Sequence, residues 1–231
     1  MLILFDIDAT LITTSRTGIA AMQDAGRGLY GPGFTAEGTD FAGRLDPLII
    51  ADLLRNNGLE PTPRALADLR EGYRASLGRR LAVPGIARTL PGVPELLAAL
   101  RARPGLTLGL LTGNYPDTGA MKLRAAGIDP DGFPVRIWGD QSPHEPPSRD
   151  HLPAVALSAY ARAHGRAIDP ERVTVIGDSP HDVRCALAHG CRALGVATGM
   201  HRVEDLRAAG AHLALPDLSR TDEVVAWLTG A

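Results

Sequence analysis

The chain has 231 residues, a net charge of −2, 45% hydrophobic residues and only 4% aromatic residues. This length suits one large domain, or a domain with a substantial insertion, and the mixed, near-neutral charge argues against a nucleic-acid-binding protein, which would show a basic patch. No apolar run approaches the ~20 residues of a membrane span, acidic residues follow the first apolar run at once, unlike a signal peptide, and the paired Cys185 and Cys191 read as reduced core thiols, so a soluble cytoplasmic protein is expected.

The first apolar run, "MLILF" (residues 1–5), reads as a strand, and "DID" follows directly. Residues 14 to 88 then look purely helical. Asp46 with Pro47 opens one helix that Gly58 can end, and Thr62 with Pro63 is an N-cap and first-turn pair for another. Leu66, Leu69, Tyr73, Leu77 and Leu81 follow helical spacing. Beyond this segment, strands are expected at "LTLGLL" (106–111), "PVRIW" (134–138), "RVTVIG" (172–177) and "RALGVA" (192–197), with helical patterns between them. One pattern carries Leu96, Leu97 and Leu100, another is closed by Leu123 and Ile128, and a third carries Leu152, Val155, Ala156, Ala159 and Tyr160.

Alternating strands and helices imply an α/β fold with a parallel sheet covered on both faces. A helical insertion follows its first strand. The expected division is a core of residues 1–13 and 89–231 and a helical cap of residues 14–88. The crossings near 13–15 and 82–91 are rich in small and turn residues and suit hinges.

Ligands of open parallel sheets bind beyond the carboxyl ends of the strands. Asp6 and Asp8 fall there, as do Thr112, Gly113 and Asn114 in "LLTGN", Arg149 in "DQSPHEPPSRD", and Asp178 and Asp182 in "VIGDSPHDV". Two like charges as close as Asp6 and Asp8 raise each other's pKa, which calls for a cation, a shared proton or both. Several carboxylates together suit a magnesium ion, which takes oxygen ligands from one or two carboxylates plus phosphate and water. The hydroxyl and amides of residues 112–114 can hold phosphate oxygens, and Arg149 can offset developing charge. An aspartate can attack phosphorus, and a second acid two residues on can protonate the leaving oxygen and then activate water.

In this order and spacing, "FDIDATL", "LLTGN" and "GDSPHDV" resemble the motifs of the haloacid dehalogenase superfamily of phosphohydrolases, and the likeness extends over nearly the whole chain. It implies a Rossmann-like doubly wound core with a cap inserted after the first strand. It also implies Asp6 as nucleophile, Asp8 as general acid/base, and Thr112 as a ligand of the transferring phosphoryl group. Magnesium would be held by the Asp6 carboxylate, the Asp8 backbone carbonyl and Asp178, with Asp182 in support. The expected activity is a magnesium-dependent phosphomonoesterase acting on a small phosphorylated metabolite. A phosphomutase, or a catalytically weak phosphate-binding regulatory protein on the same fold, is the alternative. The sequence leaves monomer or dimer open.

The pattern departs from the family twice. Ala9 stands where the family has glycine, a strain if φ is positive there. The usual lysine before the third helix is missing. Arg149 is the expected substitute, because Lys122 lies roughly three helical turns, or ~15 Å, past "LLTGN", and a surface or amphipathic role is expected for it. In "FAGRLD", Asp46 is explained as an N-cap, whereas Arg44 has no structural explanation and is a candidate to face the substrate.

Overall fold

In the computed structural model, which describes residues 1–230, strand β1 (Leu2–Phe5) is the centre of a parallel sheet. The other strands of that sheet are β4 (Thr107–Leu111), β5 (Val135–Ile137), β6 (Val173–Gly177), β7 (Arg192–Val196) and β8 (Leu213–Leu215), in the spatial order β5-β4-β1-β6-β7-β8. Each expected strand is present, and the sequence analysis left β8 unassigned. Strand β1 pairs with β4 on one side (Leu2 with Thr107) and β6 on the other (Leu2 with Val173). The chain thus switches direction beside β1, where a crevice opens beyond the strand ends.

The unbroken apolar run of β1 follows from burial on both faces. Ile3 and Phe5 belong to a core built with α4 (Val93–Arg101) and α9 (Thr221–Thr229), while Leu2 and Leu4 face α6 (Leu152–His164) and α7 (Pro180–Leu187). Phe5 is fully buried, so Phe5→Ala should cost about 3–5 kcal/mol through lost transfer energy and the cavity left behind. Cys185 and Cys191 are buried free thiols in the second of these cores.

Between β1 and β4 the chain forms α1 (Thr17–Tyr30), α2 (Asp46–Asn56) and α3 (Pro63–Leu81). They share a separate apolar cluster that includes Met22, Ile50, Leu53, Leu69 and Leu77. Thr62 caps α3 as expected, its hydroxyl accepting from the Ala65 amide at 3.2 Å. Asp46 does not cap α2. The N-cap is Leu45, which offers no side-chain acceptor, and Asp46 is instead the first helical residue, buried. The two crossings, expected as hinges, lie side by side. Strand β2 (Ile12–Thr13) pairs antiparallel with β3 (Arg88–Thr89), clasping the chain where it enters and leaves the helical segment.

Candidate active site

Strand β1 ends at Phe5, and the next turns set Asp6 and Asp8 at the mouth of the crevice. Ala9, with φ 57°, stands in the left-handed region, so the position does call for glycine-like freedom and the methyl group carries strain. Asp6, Asp8, Thr112, Asn114, Arg149 and Asp178 all line one cavity of about 640 Å³ between sheet and helical segment. Gly113 and Arg44 line it as well.

The carboxylates divide into two groups. Asp6 faces Arg149, whose Nη2 lies 3.3 Å from Asp6 Oδ1 and also bonds Asp182 Oδ1. Arg149 sits in a short turn capped by Ser148, is buried, and donates further to the Gly43 and Leu111 carbonyls at 3.3 and 3.5 Å. Both Asp182 oxygens are engaged, because Oδ2 accepts from the amide and hydroxyl of Ser179 at 3.0 and 2.6 Å in the capping box of α7. Asp182 therefore stands behind the cavity as a partner of Arg149. Asp178 is half-buried and has no ion-pair partner among the described residues. Gly199 presses against it so closely that a Cβ there would fall 1.8 Å from Asp178 Oδ2.

Burial pushes Asp6 up to about 6, with Arg149 opposing and Asp182 and Asp8 adding to the rise. Burial, and then Asp182 and Asp6, push Asp178 up to about 8. Asp6, Asp178 and Asp182 each place a carboxylate oxygen within 4.8 Å of the others. One guanidinium among three carboxylates leaves excess negative charge, and the Asp178 oxygens are unclaimed. An all-oxygen donor set with uncompensated charge fits a magnesium ion.

Asp8 belongs to the other group, and here the structure overturns the expectation for Lys122. Lys122 is only 5% exposed, and its Nζ lies 2.6 Å from Asp8 Oδ2 and 2.6 Å from Asn114 Oδ1. The estimate from sequence measured the distance along a helix from the strand end. Helix α5 (Pro116–Ala125) begins only at Pro116 and lies against α3, so the face carrying Thr118 and Lys122 is turned toward Asp8. The lysine stem then spans what remains. Burial alone would lower the Lys122 ammonium, but Asp8, Tyr73 and Asp46 together raise it well above its ordinary value. Read for itself, the single lysine suggests coding bias and no function, yet it was the one signal in the composition that could have found this residue. Among 24 basic residues Lys122 alone is lysine, and the site there takes a compact ammonium with three donors rather than a planar fork.

The "LLTGN" turn is organised by its own side chains. Asn114 Nδ2 donates to Asp8 Oδ2 at 2.8 Å and to Thr112 Oγ1 at 2.9 Å. The N-cap of α5 is Tyr115, without a side-chain cap bond. Gly113 is required by the helical segment, since a Cβ would fall 2.0 Å from the Arg44 carbonyl oxygen. Arg44 lines the cavity, paired with Asp52 at 2.7 Å. Asp46 reaches the same turn. Its amide donates to the Gly113 carbonyl at 2.7 Å, and its carboxylate accepts from the Tyr115 amide at 3.1 Å and the Thr118 hydroxyl at 3.4 Å. Burial first of all pushes this carboxyl up to about 6.

Comparison with known proteins gives the family and the fold. The family model for haloacid dehalogenase-like hydrolases matches residues 3–187. The chain is 28% identical to a phosphoglycolate phosphatase of Vibrio vulnificus, over 97% of this chain and 95% of that protein. Among solved structures it is similar to CbbY from Rhodobacter sphaeroides in complex with phosphate (TM-score 0.76, 25% identity, 94% of each chain). It also shares the fold of a putative beta-phosphoglucomutase from Thermotoga maritima (TM-score 0.66, 21% identity, 97% of each chain).

Proposed function

The chain belongs to the haloacid dehalogenase-like hydrolases, a phosphatase-type hydrolase by its relatives, and from that premise we propose that it is a magnesium-dependent phosphomonoesterase acting on a small phosphorylated metabolite through an aspartyl-phosphate. The observation that carries this reading is the division of the two strand-end carboxylates. Asp6 faces Arg149 and the acidic pair, and Asp8 faces Lys122 and Asn114, in one cavity.

In this reading the Asp6 carboxylate attacks phosphorus, the bond to the ester oxygen breaks, and that oxygen takes the proton of the Asp8 carboxyl group. The Asp8 carboxylate then accepts a proton from water, whose oxygen attacks the aspartyl-phosphate, releasing phosphate and freeing Asp6. Arg149 holds Asp6 on line and stays charged throughout. Lys122 and Asn114 fix the direction of Asp8. Thr112 and the 113–114 turn border the phosphoryl group, with Arg44 facing the remainder of the substrate. Magnesium held by Asp6, the Asp8 carbonyl and Asp178 would supply charge neutralisation at the phosphoryl oxygens. Residues 14–88 act as the cap that excludes water from the reactive acyl phosphate.

The regulatory alternative draws on Ala9 and on the missing lysine; Ala9 does stand at φ 57°, whereas the buried Lys122 beside Asp8 favours the phosphatase reading. The test is phosphate release from a panel of phosphorylated metabolites with and without magnesium, alongside Asp6→Asn. Turnover should fall about 10⁴-fold or more in the variant, as for loss of other nucleophiles. Retained turnover in folded Asp6→Asn overturns the covalent route, and an isomerised sugar phosphate in place of free phosphate would identify a phosphomutase.

A further inference from the structure

Lys122 is enclosed by the helical segment as well as by the sheet. Its Nζ bonds two groups of the core, Asp8 and Asn114. Each helix of the segment adds something around it. From α1, Gly18 borders it, and a Cβ there would lie in ordinary contact, 3.4 Å from Lys122 Nζ and 3.6 Å from the Tyr73 hydroxyl. From α3 comes Tyr73 itself, fully buried, with a hydroxyl that has no hydrogen-bond partner among the described residues. From α2 comes Asp46, which grips Thr118, one turn before Lys122 on the same face of α5. A buried ammonium is costly unless its surroundings compensate it. Here part of that compensation comes from residues 14–88.

We propose that Lys122 is the positioning residue through which seating of the cap reaches Asp8. With Gly18, Asp46 and Tyr73 packed around it, the ammonium is buried in the wall of the cavity and its donors are left to Asp8 and Asn114. When the cap lifts, those three residues leave together, water solvates Nζ, and Asp8 loses its fixed direction. The acid/base carboxylate is thus in order only when the site is closed, which keeps the aspartyl-phosphate from forming in an open site. This inference rests on the phosphatase reading of the same cavity.

The Tyr73 hydroxyl separates this idea from simple packing. An unpartnered buried hydroxyl contributes nothing favourable to folding, so Tyr73→Phe should leave thermal stability unchanged or raise it. If Tyr73 and Asp46 act through Lys122, Tyr73→Phe and Asp46→Asn should each lower kcat for p-nitrophenyl phosphate by about tenfold at nearly constant KM, with no further loss when added to Lys122→Met, since groups acting as one unit are not additive. Losses that add in the Lys122→Met background, or losses confined to KM, overturn the proposal. A second readout needs no turnover. In substrate-free protein, Lys122→Met should speed hydrogen exchange of the amides of Asp46 and Tyr115, and wild-type exchange rates there overturn the proposal. If the wild type hydrolyses no phosphate ester, the phosphatase reading fails, and the exchange measurement still judges the coupling. Should Lys122→Met not fold, Lys122→Gln replaces it in both experiments.

Discussion

Asp6 and Asp8 are two residues apart on one strand end, yet their cations come from different structural sources. Arg149 binds Asp6 from a turn of the core, and both of its carboxylate partners lie in the core as well, Asp6 just past β1 and Asp182 in α7. Lys122 binds Asp8 from a helix wedged between sheet and helical segment, with Tyr73, Asp46 and Gly18 around it. The first arrangement is nearly complete within the core, and its one bond to the helical segment goes to the Gly43 carbonyl. The second depends on that segment. In the proposed mechanism the nucleophile side would therefore stay constant and the acid/base side would respond to closure.

Asp8→Asn is the most severe test of the comparison. Loss of a general acid/base should lower kcat by about 10²–10⁴-fold, while magnesium affinity, titrated calorimetrically, stays close to wild type because only the backbone carbonyl of Asp8 is assigned to the metal. Asp178→Asn should lose that affinity. Equal loss in both variants would erase the division between the two sides.

Next come the two cations. Arg149→Ala should cut kcat about 10²-fold or more, in line with removing one preorganised charge-stabilising donor. Lys122→Ala should also be impaired, by about tenfold or more, where the sequence alone had predicted a near-wild-type enzyme. Saturating kinetics with circular dichroism as the folding control decide this. An unaffected Lys122→Ala would return the whole electrostatic task to Arg149.

Acidity of the metal side gives a third test. Asp6 and Asp178 are raised from the ordinary 3.8 to about 6 and about 8, with burial as the first cause in each. A carboxyl raised in the folded state favours folding fully below its unfolded value, and that contribution is lost as pH climbs through the folded value. Metal-free protein should therefore lose melting temperature between about pH 4 and pH 8 relative to Asp178→Asn. On the proposed assignment magnesium would bind the ionised pair, so it should raise the melting temperature more at pH 8 than at pH 5. An equal rise at both would place the metal elsewhere.

The smallest effect belongs to Ala9, with φ 57°. Ala9→Gly should relieve strain of about 1 kcal/mol, partly offset by the greater freedom of glycine in the unfolded chain, and be visible as a slightly higher denaturation midpoint. Activity that rose with it would show that the strain also displaces Asp8.

Most of the sheet was legible in the amino-acid sequence, and so were the strand-end positions of Asp6, Asp8 and Asp178. Strands buried on both faces must be continuously apolar, so "MLILF", "LTLGLL" and "RVTVIG" declare themselves, and Asp6 and Asp178 follow the first and the third of them at once. Such placements are local: once the strand exists, the position of the next residue is nearly fixed. Strand β8 escaped because three residues beside Pro216 carry no periodicity. Only the tertiary structure decided what the long side chains do. Asp46 has the right residue type and place for an N-cap, but the meeting of α2 with the 113–118 turn gave its carboxylate stronger partners. Lys122 looked distant because residue counting gives length along a helix and not the direction of that helix. Direction is set by packing of α5 between sheet and α3, a long-range property that no stretch of ten residues contains, and it carried the one lysine of the chain to the second carboxylate of the site.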